Sequence, residues 1–343
     1  MKAMVLKKTA PIEEEPLELE DLPTPQPGPE QIRVKISACG VCHTELDEIE
    51  GRLQPKLPII LGHEIVGKVE SAGSNVTKFK LGDRVGIAWI NSACGKCQFC
   101  QQGNENLCPE FQGTGCDANG GYAEYTIISE DFTYPIPDRF SDSQAAPLLC
   151  AGAIGYRALR LTNLQDGQTL GLFGFGASAH IVIQIAKHKY SNCKVFVFTR
   201  PGQKEHQNLA VKLGADWVGA TGDTPPAKLN CAIDFTPAWR PPVEALKVLE
   251  KAGRVVINAI RKEQTDIETL LQLNYSTHLW LEKELKTVAN IARKDAQDFL
   301  PLAAEIPIIP EVQEFKLEQA NKALILLKQG KIQGAGVLKV SQL

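Results

Sequence analysis

Gln168-Thr-Leu-Gly-Leu-Phe-Gly-Phe-Gly-Ala-Ser-Ala179 reads as an apolar strand that runs into two glycines and then into a helix, continued by His180-Ile181-Val182-Ile183-Gln184-Ile185-Ala186. In that context glycines let a pyrophosphate approach the backbone at a helix N-terminus, which makes Gly174, Gly176, Ala177 and Ser178 candidate cofactor contacts. Ala179 stands at the third glycine position, which the pattern allows. The motif alone could belong to some other α/β protein, so its neighbourhood has to decide. Apolar, strand-like runs follow at residues 194–198, 229–235, 254–260 and 285–289, with helical stretches at 203–213 and 242–251 between some of them. Strands alternating with helices over about 130 residues predict a parallel, doubly wound sheet.

Outward from this region lie two unlike sets of metal-binding letters. Cys94-Gly-Lys-Cys97-Gln-Phe-Cys100, with Cys108 beyond it, places four thiols in one short loop. Thiolates spaced two residues apart can turn their sulfurs to one point, and four of them complete the closed tetrahedral shell of a structural zinc. Disulfides are the weaker reading, because such close neighbours pair poorly. The second set is scattered and mixed: Cys39, Cys42, His43, His63, Glu64 and Cys150. Two thiolates and one neutral imidazole would cancel the charge of a divalent zinc and leave a fourth position open. Substrate oxygen bound there would have its pKa lowered, as hydride donation from an alcohol needs.

In order along the chain, Cys42-His43-Thr44, Gly62-His63-Glu64, the four-cysteine loop, Cys150, the glycine turn and Gly330-Lys331-Ile332 resemble the zinc-dependent medium-chain alcohol dehydrogenases over essentially the whole sequence. The resemblance implies an α/β protein of two domains. Residues 1–151 and 291–343 would form a partly open, GroES-like β-barrel that carries the zinc sites, and residues 152–290 a Rossmann domain. Short strands broken by glycine and Asp turns, near Val34-Lys35-Ile36 and Gly82-Asp83-Arg84-Val85-Gly86, suit the barrel. Cys42, His63 and Cys150 would hold the catalytic zinc and Cys94, Cys97, Cys100 and Cys108 the structural one, two Zn2+ per chain. Cys39 is the rival of Cys42. Thr44 would carry the alcohol proton, Glu64 would lie near the metal, and His43 near the cofactor pyrophosphate.

Several positions depart from the family pattern. Asp47 replaces a histidine that many relatives use to end the proton relay, so the carboxylate either accepts the proton or leaves it to ribose and water. Ile154 stands where many relatives place a threonine, and Gly334-Ala335-Gly336 lacks an arginine that some use. After the second Rossmann strand the acid expected for a ribose 2′-hydroxyl is missing, and Thr199 and Arg200 occupy its place. Arg200 with Lys204 could bind a 2′-phosphate, which tips NAD(P) towards NADP.

Trp89 resembles a pocket tryptophan of relatives that act on primary alcohols, with Leu53, Leu57 and Trp280 as further apolar walls. The reading is a zinc-dependent alcohol dehydrogenase or aldehyde reductase. Its alternatives are a cinnamyl-type aromatic aldehyde reductase and a zinc-binding relative that has lost hydride transfer. A net charge of −3 gives no case for nucleic acid or membrane partners. The start Met1-Lys-Ala-Met-Val-Leu-Lys-Lys8 has no apolar signal core, so a cytoplasmic protein is expected, as a homodimer or homotetramer by resemblance.

Overall fold

A computed structural model describes residues 1–306, 308, 310–332 and 334–341. The chain forms two compact units, Met1–Cys150 with Ile291–Leu343, and Ala151–Asn290.

The first unit is organised on the strand Gln31–Val41, which pairs with Ile65–Ala72, Tyr125–Ser129 and Ala335–Lys339, all antiparallel. Arg84–Ile87, Thr133–Pro135 and Val312–Lys316 complete a seven-stranded sheet, and Lys2–Leu6, Leu17–Asp21 and Ile59–Ile60 form a smaller one. Along the hub strand Ile32, Val34 and Ile36 alternate inward, as a half-buried strand requires. Beyond them the strand is buried on both faces and ends at Val41, and Cys42 turns the chain into helix α1 (His43–Ile49). Gly40 permits this arrangement, because a Cβ built on it would lie 1.9 Å from Glu64 Oε2.

The second unit opens with helix α2 (Ala151–Thr162) and then alternates β1 (Thr169–Phe173), α3 (Ala177–Lys189), β2 (Lys194–Thr199), α4 (Lys204–Lys212), β3 (Trp217–Ala220), β4 (Leu229–Asp234), α5 (Arg240–Val248), β5 (Leu249–Ile257) and, after a long irregular segment, β6 (Glu284–Thr287). All six strands are parallel, in the order β3-β2-β1-β4-β5-β6. Strand order reverses between β1 and β4, and ligands of such sheets bind outside the carboxyl ends of the strands at that point. Phe173 and Phe198 stack at 4.2 Å in the core, pinning the ends of β1 and β2 together.

Strand β3 is not foreshadowed in the sequence, because this four-residue edge strand has only Gly219 fully buried and therefore little apolar signal. The helix expected at 242–251 begins at Arg240, because Pro241 and Pro242 sit in its first turn, where an absent N–H costs nothing. No helix among the described residues is long and apolar enough to cross a membrane.

Candidate active site

Helix α1 is the device that aims the first thiol. Cys42 is its N-cap residue, and Glu45 Oε2 accepts the Cys42 backbone N–H at 2.8 Å. Cys150 arrives from the 3-10 turn Ala146–Leu149, and its Sγ lies 3.8 Å from Cys42 Sγ. That matches the edge of a tetrahedron with metal–sulfur bonds of about 2.3 Å, which is about 3.8 Å. Ligand atoms of His63 and Glu64 complete a group within 4.8 Å of one another. His63 is fully buried, and Glu45 Oε1 stands 2.6 Å from its Nδ1, so the ring is oriented from behind and Nε2 is left for a metal. Hence the residues fit a zinc ion.

Electrostatics agree with that fit. A hydrogen bond from Cys150 holds the Cys42 thiol well below its ordinary range against the cost of burial, with His63 assisting. Cys150, as the donor of that bond and buried too, is pushed well above. Burial also pushes the Glu64 carboxyl up. Burial alone would lower His63, yet Glu45 and Cys42 together hold the ring well above its usual value. A cation entering this site therefore displaces protons that neighbouring negative groups retain without it.

The second cluster also fits zinc. Cys97 and Cys94 sulfurs lie 3.6 and 3.9 Å from Cys100 Sγ, and Cys108 joins them within the same 4.8 Å. Backbone N–H groups of Cys97, Cys94 and Glu110 point at the sulfurs of Cys94, Cys108 and Cys108 at 3.3–3.4 Å. Such donors favour thiolates: those of Lys96 and Cys97 bring Cys94 down to about 7, whereas burial drives Cys100 up to about 12.

The remaining candidates fall at different distances from this chemistry. Thr44 is buried with its Oγ1 3.6 Å from Cys42 Sγ, and His43 is exposed at the start of α1. Asp47 is buried and pairs with Arg52. Trp89 meets the His63 ring edge-on at 5.1 Å and stacks on Phe111 at 6.5 Å. Cys39 does not join the cluster; its sulfur is packed against Gly62 and Gly121 in the core. Leu57 and Trp280 are exposed. Glu45 escaped the sequence reading, although an acid at the third helical position after a candidate ligand was the available signal.

In the second unit Gly174 takes a left-handed φ of 84°, and its N–H binds Phe198 O at 2.8 Å. Gly176 caps α3, and a Cβ placed on it would meet nothing within 4 Å, the open cradle that a pyrophosphate over a helix N-terminus needs. Ser178 is committed to the Ala151 carbonyl at 2.7 Å. The Thr199 hydroxyl is likewise occupied, accepting from Gln207 at 3.0 Å, whereas Arg200 and Lys204 are exposed.

Comparison with known proteins places these features in company. The alcohol dehydrogenase GroES-like domain model matches residues 28–138. A probable alcohol dehydrogenase AdhA of Mycobacterium tuberculosis is 41% identical, covering 99% of this chain and 97% of the relative. An NAD-dependent alcohol dehydrogenase of Sulfolobus acidocaldarius is 34% identical over 99% of this chain and 100% of its own length. Among solved structures, the alcohol dehydrogenase of Aeropyrum pernix superposes with a TM-score of 0.83 at 27% identity, covering 99% and 100% of the two chains.

Proposed function

This chain belongs to the medium-chain alcohol dehydrogenase family, and we propose that it transfers hydride between a primary alcohol and NADP(H) at a zinc site formed by Cys42, His63 and Cys150. The observation that carries the reading is the 3.8 Å approach of two thiols 108 residues apart, beside a buried imidazole. Two thiolates and a neutral ring offset a divalent charge and leave room for substrate. A zinc ion held by Cys42, His63 and Cys150 would supply Lewis acidity towards an alcohol oxygen, and a bound nicotinamide dinucleotide would supply the hydride acceptor or donor.

The protein's own part is orientation and proton handling. Glu45 fixes the His63 ring and the Cys42 backbone. Thr44, a hydroxyl that both accepts and donates, takes the alcohol proton beside Cys42. Asp47, one turn along α1 and paired with Arg52, is an accessory acceptor. Trp89 narrows the space beside His63 and favours slim alcohols over branched ones. Cys94, Cys97, Cys100 and Cys108 hold a second, structural zinc, which gives two ions per chain.

NADP(H) is preferred over NAD because β2 ends at Thr199 and Arg200 follows it, with no carboxylate at either position to repel a 2′-phosphate. Ten free cysteines suit a reducing cytoplasm. Every residue of the edge strand β6 is exposed, beside exposed Trp280 and Leu281, which supports a dimer joined through that edge.

Absorbance at 340 nm tests the reading, with each cofactor and a panel of ethanol, butanol, benzyl and cinnamyl alcohols and their aldehydes. Turnover of short primary alcohols that is lost on chelation supports it. A fully metallated protein that turns over none of them sinks it, and a preference for cinnamyl substrates favours the aromatic reductase instead. Light scattering reads the oligomer.

A further inference from the structure

We propose that Arg240 is a specificity-determining residue of the cofactor site, joining Arg200 to hold the 2′-phosphate of NADP(H). The inference rests on the reading above, that the glycine turn after β1 takes a nicotinamide dinucleotide.

Arg240 opens α5 just past the carboxyl end of β4. Its start is fixed, because the backbone N–H groups of Trp239 and Arg240 both donate to Asp266, each at 2.9 Å. From there the guanidinium reaches the turn after β3, where Nη2 lies 3.1 Å from the point a Cβ on Gly222 would occupy. In the sheet, β1 and β2 lie between β4 and β3. Three strand spacings amount to roughly 14 Å. A side chain that joins those two loops therefore passes over the carboxyl ends of β1 and β2. The turn it touches is itself tied to β2, since the Thr221 N–H and hydroxyl bind Thr199 O at 2.8 and 3.3 Å. Arg240 thus stands over the end of β2, where Arg200 replaces the acid that would otherwise bind the ribose.

Charge says what belongs between them. Among the described residues no carboxylate pairs with Arg200 or Arg240. Asp223, the acid of the same turn, is engaged elsewhere, accepting the Ala220 N–H at 2.7 Å. Two guanidinium groups near one strand end repel each other until an anion is shared, and a phosphate offers each a charge-assisted hydrogen bond. Gly222 maintains the path: its φ of 102° is one that side chains rarely adopt, and any Cβ would crowd the guanidinium.

Calorimetric titration of the full-length protein with adenosine 2′,5′-bisphosphate and with 5′-AMP isolates the single phosphate in question. Wild type is expected to bind the bisphosphate at least tenfold more tightly. Arg240→Ala should lose tenfold or more on the bisphosphate while its affinity for AMP stays within about twofold, and the Arg200→Ala/Arg240→Ala pair should show no preference. Equal weakening of both ligands by Arg240→Ala would mean that the guanidinium lies on adenine, and no weakening would mean that it faces solvent; either overturns the proposal. Wild type that binds neither ligand instead removes the nucleotide reading beneath it. Arg240 is at the surface, and an unchanged melting temperature in the variant confirms that binding alone is being read.

Discussion

Glu45 Oε1 lies 2.6 Å from Nδ1 of His63, and neither side chain reaches solvent. Through its other oxygen the same carboxylate holds the backbone of Cys42. One buried acid thus sets two proposed zinc ligands of different kinds. Glu45→Gln keeps the shape and removes the charge, so the His63 ring becomes a poorer ligand. Zinc at the site should be lost to a competing chelator at about 10- to 100-fold lower concentration, with the second zinc retained. Metal content after graded chelation reads this, and an unchanged profile would assign Glu45 to packing alone.

The two cysteine clusters should fail in different ways. Cys150→Ser damages the open site and is expected to abolish turnover while leaving the melting temperature within a few degrees of wild type. Cys100→Ser damages the closed site, where a bound zinc would contribute folding free energy, and should lower the melting temperature clearly. Elemental analysis should give two zinc ions per wild-type chain and about one in each variant. A single zinc in fully active protein would rule out this division.

Thr44 and Asp47 should differ in weight. Thr44→Ala removes the buried hydroxyl beside Cys42, and alcohol oxidation should fall by about 100-fold or more. Asp47→Asn should cost roughly tenfold or less, because water can take over at that point. Losing the charge leaves Arg52 with Glu50 alone, so Arg52→Gln, which ends its pairing with both acids, should reproduce part of the same loss. Rates across about pH 6 to 9 test the ranking, and an Asp47→Asn enzyme slower than Thr44→Ala reverses it.

Asp216 ties the second unit together, accepting from Lys187 Nζ at 2.6 Å and from the Val195 N–H at 2.7 Å. Partial burial raises its carboxyl, but these donors win and hold it below the ordinary value. A depressed folded pKa means stability that is present above the unfolded value of about 3.9 and lost as pH falls through the folded one. With the carboxylate more than a third exposed, Asp216→Asn should cost only about 0.5–1 kcal/mol at neutral pH. The difference from wild type should shrink below about pH 4. Denaturant unfolding at pH 3.5, 5 and 7 checks the trend; a gap that is independent of pH would point to lost hydrogen-bond geometry rather than charge.

Features written in adjacent letters are legible in the sequence itself. Cys94 to Cys100 must be close because so few residues separate them, and the turn at Gly174 and Gly176 needs glycine wherever it occurs. Cys42, His63 and Cys150 became legible only through their order along the chain, since no spacing rule brings residue 150 to residue 42. Glu45 stayed hidden because an acid there serves equally well as a helix cap. The pairing of Asp47 with Arg52 depends on the left-handed turn at Gly51, with φ of 74°. Arg240 meeting Gly222 follows from strand order, which the letters of either segment do not contain.

The hub strand of the first unit has a consequence for synthesis. Gly40 and Val41, which lead into the Cys42 cap, are paired with Val337 and Gly336. Every proposed zinc ligand has left the ribosome once Cys150 emerges, yet the strand that backs the Cys42 turn follows about 190 residues later, on the order of 10–40 s at ordinary elongation rates. During that interval the contiguous segment Ala151–Asn290 can close its own sheet, whereas the four-cysteine loop needs only its own residues to capture zinc. The nascent chain should therefore load the closed site first and the open site last, so a cell short of zinc would accumulate protein that is folded and inactive.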